Sequence, residues 1–215
     1  LGWAVRWRQR WPGTDAQLLL AEVNSFQFTP TTLTFTQVNG QPVPTRLVLQ
    51  SSRQRIVGAA IQHSRGNWLL RSEQAWHGGV PMRPENLAQE WRDHDQWRGM
   101  VGFDYSGVAN LLITGELAVN HTLNQHNDVA GEAWQLAQSL RLRYSLLNDR
   151  VTLTGQGVLL GMDQGGLLRA MTEWDASDQV NVGLTVVNYL SDDDDQVLYP
   201  YRDNDAMILN VRYSL

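Results

Sequence analysis

The chain has 215 residues, a formal net charge of −5 and no cysteine, so disulfide frameworks, thiol nucleophiles and thiolate metal sites are excluded. Charged residues make up 18%, below the roughly 25% of an average soluble domain, and all seventeen cations are arginine. That balance leaves no nucleic-acid footprint, and no apolar run reaches the ~18 residues of a transmembrane helix, which says nothing about spanning by β-strands.

Period-two alternation recurs from end to end, and it predicts strands near 2–11, 15–25, 53–63, 67–77, 95–106, 110–121, 134–147, 150–162, 166–175, 179–190 and 204–215. The connections alternate in length. Pro12-Gly13-Thr14, Ser64-Arg65-Gly66, Ser106 to Ala109, Asn148-Asp149 and Ala176-Ser177-Asp178 suit tight hairpins. Between them fall 26–52, 78–94, 122–133, the brief 163–165, and 191–203, expected as loops at the opposite end. Within 26–52, Asn39-Gly40 is a type I′ hairpin signal, although Pro42 and Pro44 oppose a central strand there. Two segments, 57–75 and 101–118, read as diverged copies of one hairpin, the unit of up-and-down barrels.

Parity sorts the residues into two faces. The first strand sets Trp3, Val5 and Trp7 against Arg6 and Arg8. In 97–105, Trp97, Val101, Phe103 and Tyr105 oppose Arg98 and Asp104; in 111–120, Leu111, Ile113 and Leu117 oppose Glu116. Strand 134–146 sets Trp134, Leu136, Leu140, Leu142 and Tyr144 against Arg141 and Arg143. The last strand sets Met207, Leu209, Val211, Tyr213 and Leu215 against Arg212. Parity in 15–25 is ambiguous.

An arginine facing lipid at mid-bilayer costs roughly 2–4 kcal/mol, so Arg141 and Arg143 fit a wet interior and not a lipid face. Trp97 and Trp134 fall where strands meet long connections, whereas Trp68, Tyr105, Tyr144, Trp174 and Tyr213 fall near short turns or the C-terminus. Two aromatic bands at opposite strand ends match membrane-interface girdles. The expected fold is an all-β, transmembrane, antiparallel up-and-down β-barrel, with eleven strands forming a C-terminal portion of a larger one. Bacterial barrels have even strand numbers with both ends periplasmic, so an odd number of further strands is expected before Leu1.

"YRDNDAMILNVRYSL", "VGAAIQHSRGNWLLRSEQAWHGG" and "WRGMVGFDYSG" resemble the C-terminal half of a proteobacterial outer-membrane family, domain of unknown function 1302. The likeness covers most of 50–215. The resemblance implies a porin-like outer-membrane barrel inserted by the barrel-assembly machinery. Its implied surroundings are outer-membrane lipid and lipopolysaccharide, and its implied partners are periplasmic or inner-membrane transport systems for hydrophobic compounds or lipids. Such barrels usually end in phenylalanine; this chain ends in Leu215.

Arg6, Arg8, Arg71 with Glu73, Arg98, Asp104, Glu116, Arg141 with Arg143, Arg169 with Glu173, and Arg212 share the inward parity. They form either an arginine ladder facing carboxylates across a conduit or structural ion pairs filling a plugged barrel. The acidic run Ser191 to Gln196 lacks the alternate ligand spacing of a calcium loop and reads as a solvated tip. His63, His77, His94, His121 and His126 are scattered, and no metal or other cofactor is assigned. "NHTLNQHND" (120–128) holds residue types found in hydrolase triads, but no serine lies in a nucleophile setting, so no catalysis is expected. The remaining alternative is a soluble β-sandwich whose tryptophans stack on carbohydrate.

Overall fold

The computed structural model describes residues 2–38, 41–85, 91–125 and 129–214. Eleven strands form one antiparallel sheet in strict chain order: β1 (Trp3–Trp11), β2 (Thr14–Val38), β3 (Gln41–Arg65), β4 (Trp68–Met82), β5 (Arg92–Val108), β6 (Leu111–Thr122), β7 (Trp134–Leu146), β8 (Val151–Leu160), β9 (Gly166–Asp175), β10 (Val180–Leu190) and β11 (Ala206–Tyr213). β1 and β11 each pair on one side only, so the sheet has two edges. No second sheet packs against it among the described residues.

Alternating side chains and turn residues account for the short connections. Gly13 (φ 73°) closes β1 onto β2, a left-handed conformation that costs glycine nothing. Asn110, Asn148 and Asp149 also sit at positive φ in their turns, as Asn and Asp tolerate best.

Two expected loops are corrected. Residues 26–52, expected as a loop that carries a hairpin signal opposed by Pro42 and Pro44, continue β2 and β3 as a two-stranded ribbon. The prolines are accommodated because each ribbon strand has a free edge; they sit opposite Leu49, Gln37 and Phe35, and the register shifts near Asn24, Pro30 and Thr34. Asn39 and Gly40 lie outside the described residues. Segment 78–94 likewise shortens, because β4 runs to Met82 and β5 begins at Arg92. The remaining connections there pack together: Pro84 bridges Val129, the Ala130 N–H donates to Arg83 O at 2.9 Å, and Val129 is buried.

Among the described residues a conventional core is missing. Ala21, Val80 and Val129 are the buried hydrophobic residues, and no side chain described is fully buried. The accessible surface is 15137 Å², against about 10,000 Å² for a soluble monomer of this mass.

Candidate functional site

Register assigns every strand residue to a face, because antiparallel partners point the same way. Starting from Trp7, the pairs Leu18, Ala59, Gln74, Gly99, Val119 and Leu136 follow in one row. On β7 to β11 the same face carries Leu142, Gly155, Ala170, Val186 and Met207. This face is apolar and bare: Trp7 is 50% exposed, Leu140 50% and Leu209 68%. It also settles the ambiguous stretch 15–25, with Leu18 and Leu20 on the apolar face and Asp15 and Gln17 opposite.

Aromatics mark both limits of the band. Trp76, Trp97, His121 and Trp134 fall in one row, and the His121 ring stacks on Trp134 at 3.8 Å. At the short-turn end lie Trp11, Trp68, Tyr105, Tyr144, Trp174 and Tyr213, with Trp68 against Tyr105 at 4.4 Å. The rings of Trp76 and Trp97 lie over Gly78 and Gly99, where an added Cβ would meet them at 2.4 and 2.8 Å. Bare backbone there lets the indoles lie flat along their own strands.

The turn-end level climbs about eight residues along the strands in crossing from Trp11 on β1 to Tyr213 on β11. That is ~26 Å along for ~48 Å across, a tilt of ~30°, just below the ~35–45° of closed barrels. Trp68 to Trp76 and Trp97 to Tyr105 are about eight residues apart, and Trp134 to Tyr144 about ten. After correction for tilt, the two levels stand ~23–29 Å apart.

The opposite face holds Arg6, Arg8, Arg71, Glu73, Arg98, Asp104, Glu116, Arg141, Arg143, Arg169, Glu173 and Arg212, all sharing one side by register. Arg71 reaches Asp104 at 3.3 Å and Glu116 at 3.2 Å, while the Thr114 hydroxyl donates to Asp104 at 2.8 Å. Gly102 lies between Arg71 and Glu116 in the row. A Cβ there would stand 3.2 Å from Glu116 Cγ and 3.6 Å from the Arg71 guanidinium, so the missing side chain opens the path. Glu73 and Glu173 share this side with Arg71 and Arg169 without pairing to them, and Arg169 Nη2 lies 3.7 Å from Met171 Sδ. Arg98 donates to Gln96 at 2.8 Å.

Asp15, not foreseen as part of the site, accepts from Arg8 Nε at 2.9 Å and lies 3.3 Å from Arg10. The signal was present: a two-residue turn at Pro12-Gly13 sets Asp15 opposite Arg10.

Glu73, His77 and Arg98 line a hollow of 1160 Å³ on this face, together with Leu19, Ala60, Met100, Ala118, Ala137 and Leu160. Asp195 and Val197 from the acidic connection also line it. That connection is organised by Gln196, whose carbonyl accepts from Ser191 Oγ at 2.8 Å and the Asp192 N–H at 2.9 Å, and whose amide donates to Asp163 O at 2.7 Å. Among the described residues, no three His, Asp or Glu side chains converge to hold a metal. His121 is engaged by Ala133 O at 3.2 Å; His126 and Asp128 lie outside the described residues.

One amphipathic up-and-down sheet, bare and apolar on one side and charged on the other, defines a large all-β protein. The chain belongs to the family described as Protein of unknown function (DUF1302), whose model matches residues 1–215. The likeness seen over 50–215 therefore extends through β1 and β2. No curated protein matches the chain.

Proposed function

We propose that this sheet is the wall of a closed β-barrel in a bacterial outer membrane, its apolar face in lipid and its charged face lining an interior used by hydrophobic, lipidic or small solutes. The observation that carries this reading is the spacing of the two aromatic levels. A separation of ~23–29 Å brackets the ~25 Å apolar band of outer-membrane barrels, and the residues between the levels carry no charge on that face in β4 to β11. The surface excess and missing core agree with burial against lipid. A sandwich would need a second sheet over the apolar face.

The test is migration of the full-length protein on cold SDS gels, with and without boiling, after membrane fractionation. The expected result is a heat-modifiable band extracted only by detergent; a protein recovered in a detergent-free supernatant would overturn the reading. A sealed barrel that anchors a partner complex is favoured by one observation, the reach of the 191–203 connection to the hollow, which Asp195 and Val197 help to line. Planar-bilayer recording separates the two: stepwise conductance supports the open conduit, and silence with correct insertion supports the sealed form.

A further inference from the structure

The arginines of the charged face differ in their partners. Arg8 and Arg10 share Asp15, and Arg71 bridges Asp104 and Glu116. Arg141, Arg143 and Arg169 have no carboxylate within ion-pairing distance among the described residues, although they sit together. Arg141 on β7 lies opposite Gln156 on β8, which lies opposite Arg169 on β9. Arg143 is the next residue on that face of β7, opposite Thr154. Strand spacing puts the Arg141 and Arg169 backbones ~10 Å apart and those of Arg141 and Arg143 ~7 Å apart, within reach of side chains converging over Gln156. Thr154 is 9% exposed, so the floor is closed. The nearest acids, Glu116 diagonal to Arg141 on β6 and Asp104 two strands along the Arg141 row, are already engaged by Arg71.

Three guanidinium groups at neighbouring positions of one face, none of them in an ion pair among the described residues, repel one another, and an anion with two or more oxygens relieves that repulsion through forked hydrogen bonds. The next row toward the hollow, one position along the face, is Ser139, Val158 and Leu167; beyond it come Ala137 and Leu160. An apolar path of ~13 Å therefore runs from the arginines into the hollow.

We propose that Arg141, Arg143 and Arg169 form a head-group site for an amphipathic anion, a carboxylate or phosphate whose apolar body lies over Val158 and Leu167 toward Ala137 and Leu160. The proposal rests on the reading of this face as the barrel interior and names the class of solute that interior takes. The cationic trio sets the head and the apolar path sets the direction of the tail.

Calorimetric titration of the full-length protein in lipid nanodiscs, with empty discs as the blank, would use octanoate, 1-octanol and inorganic phosphate. The expected result is octanoate binding about tenfold or more tighter than either of the others, as charge-assisted hydrogen bonds and apolar burial act together. R141Q/R169Q should lower octanoate affinity about tenfold or more and leave 1-octanol unchanged, and L167D should weaken octanoate while sparing phosphate. If R141Q/R169Q assembles poorly, R141K/R169K keeps the charge, removes the fork and should give an intermediate loss. Equal octanoate affinity in wild type and both arginine variants would overturn the site; phosphate binding as tight as octanoate would overturn the amphiphile. Heat-modifiable migration is scored separately, so a protein that is not a barrel is distinguished from a barrel lacking this site.

Discussion

Arg71 shows how one missing side chain shapes a polar surface. Its guanidinium crosses β5 to Glu116 over Gly102, where a Cβ would press on Glu116 Cγ at 3.2 Å. The groups are partly solvent-exposed, with side-chain accessibilities of 27%, 22% and 44% for Arg71, Asp104 and Glu116, so the network contributes about 1 kcal/mol and no more. R71Q should lower stability by that amount in urea titrations of the protein in vesicles. G102V should cost a similar amount by blocking the path, and the double variant should be distinctly less than additive because both remove the same bridge. Additive losses would show that Gly102 matters for some other reason.

At the scale of the strand, the two faces make opposite demands on the same substitution. Leu140 lies midway between Trp134 and Tyr144 on the apolar face, and Ser139 is its neighbour on the charged face. Leu140→Arg should destabilise by roughly 2–4 kcal/mol in a bilayer, whereas Ser139→Arg should cost under about 1 kcal/mol. Refolding into vesicles monitored by cold-gel mobility reads both; equal costs would remove lipid from the apolar face.

The strands most legible in the sequence are those in which this contrast is strongest. The expected bounds of β6, β7, β9 and β10 match the observed ones within a residue or two because apolar and polar residues alternate cleanly between the two faces. The outer halves of β2 and β3 were not legible, since beyond the upper aromatic level neither face demands apolar residues and the prolines imitate a loop. Parity put the arginines and carboxylates on one face, but it could not pair them. Pairing depends on register, which brings Glu116 rather than Glu73 to Arg71, and on turn length, which brings Asp15 to Arg8 and Arg10.

The described residues enclose almost no apolar interior, and their largest apolar surface is one bare face of the sheet. Stability should therefore follow the medium as much as the sequence. In vesicles of graded acyl-chain length, the unfolding midpoint is expected to peak where the hydrocarbon thickness matches the aromatic spacing and to fall on either side, at fractions of a kcal/mol per Å of mismatch. A midpoint indifferent to chain length would contradict a spanning role.

The two free edges carry a further demand. Along β1, nine residues long, about every second peptide turns its N–H and C=O away from β2, and the outer side of β11 is left in the same state. In hydrocarbon each unmatched amide group costs several kcal/mol, so either edge alone would exceed the ~5–15 kcal/mol that holds a typical domain folded. Because an up-and-down sheet reverses direction at every strand, β1 and β11 run the same way. A seam that joined them directly would be parallel, and an antiparallel one needs an odd number of intervening strands, whichever chain supplies them. Amide hydrogen bonding thus restricts the strand number of the finished wall more tightly than any side chain in it.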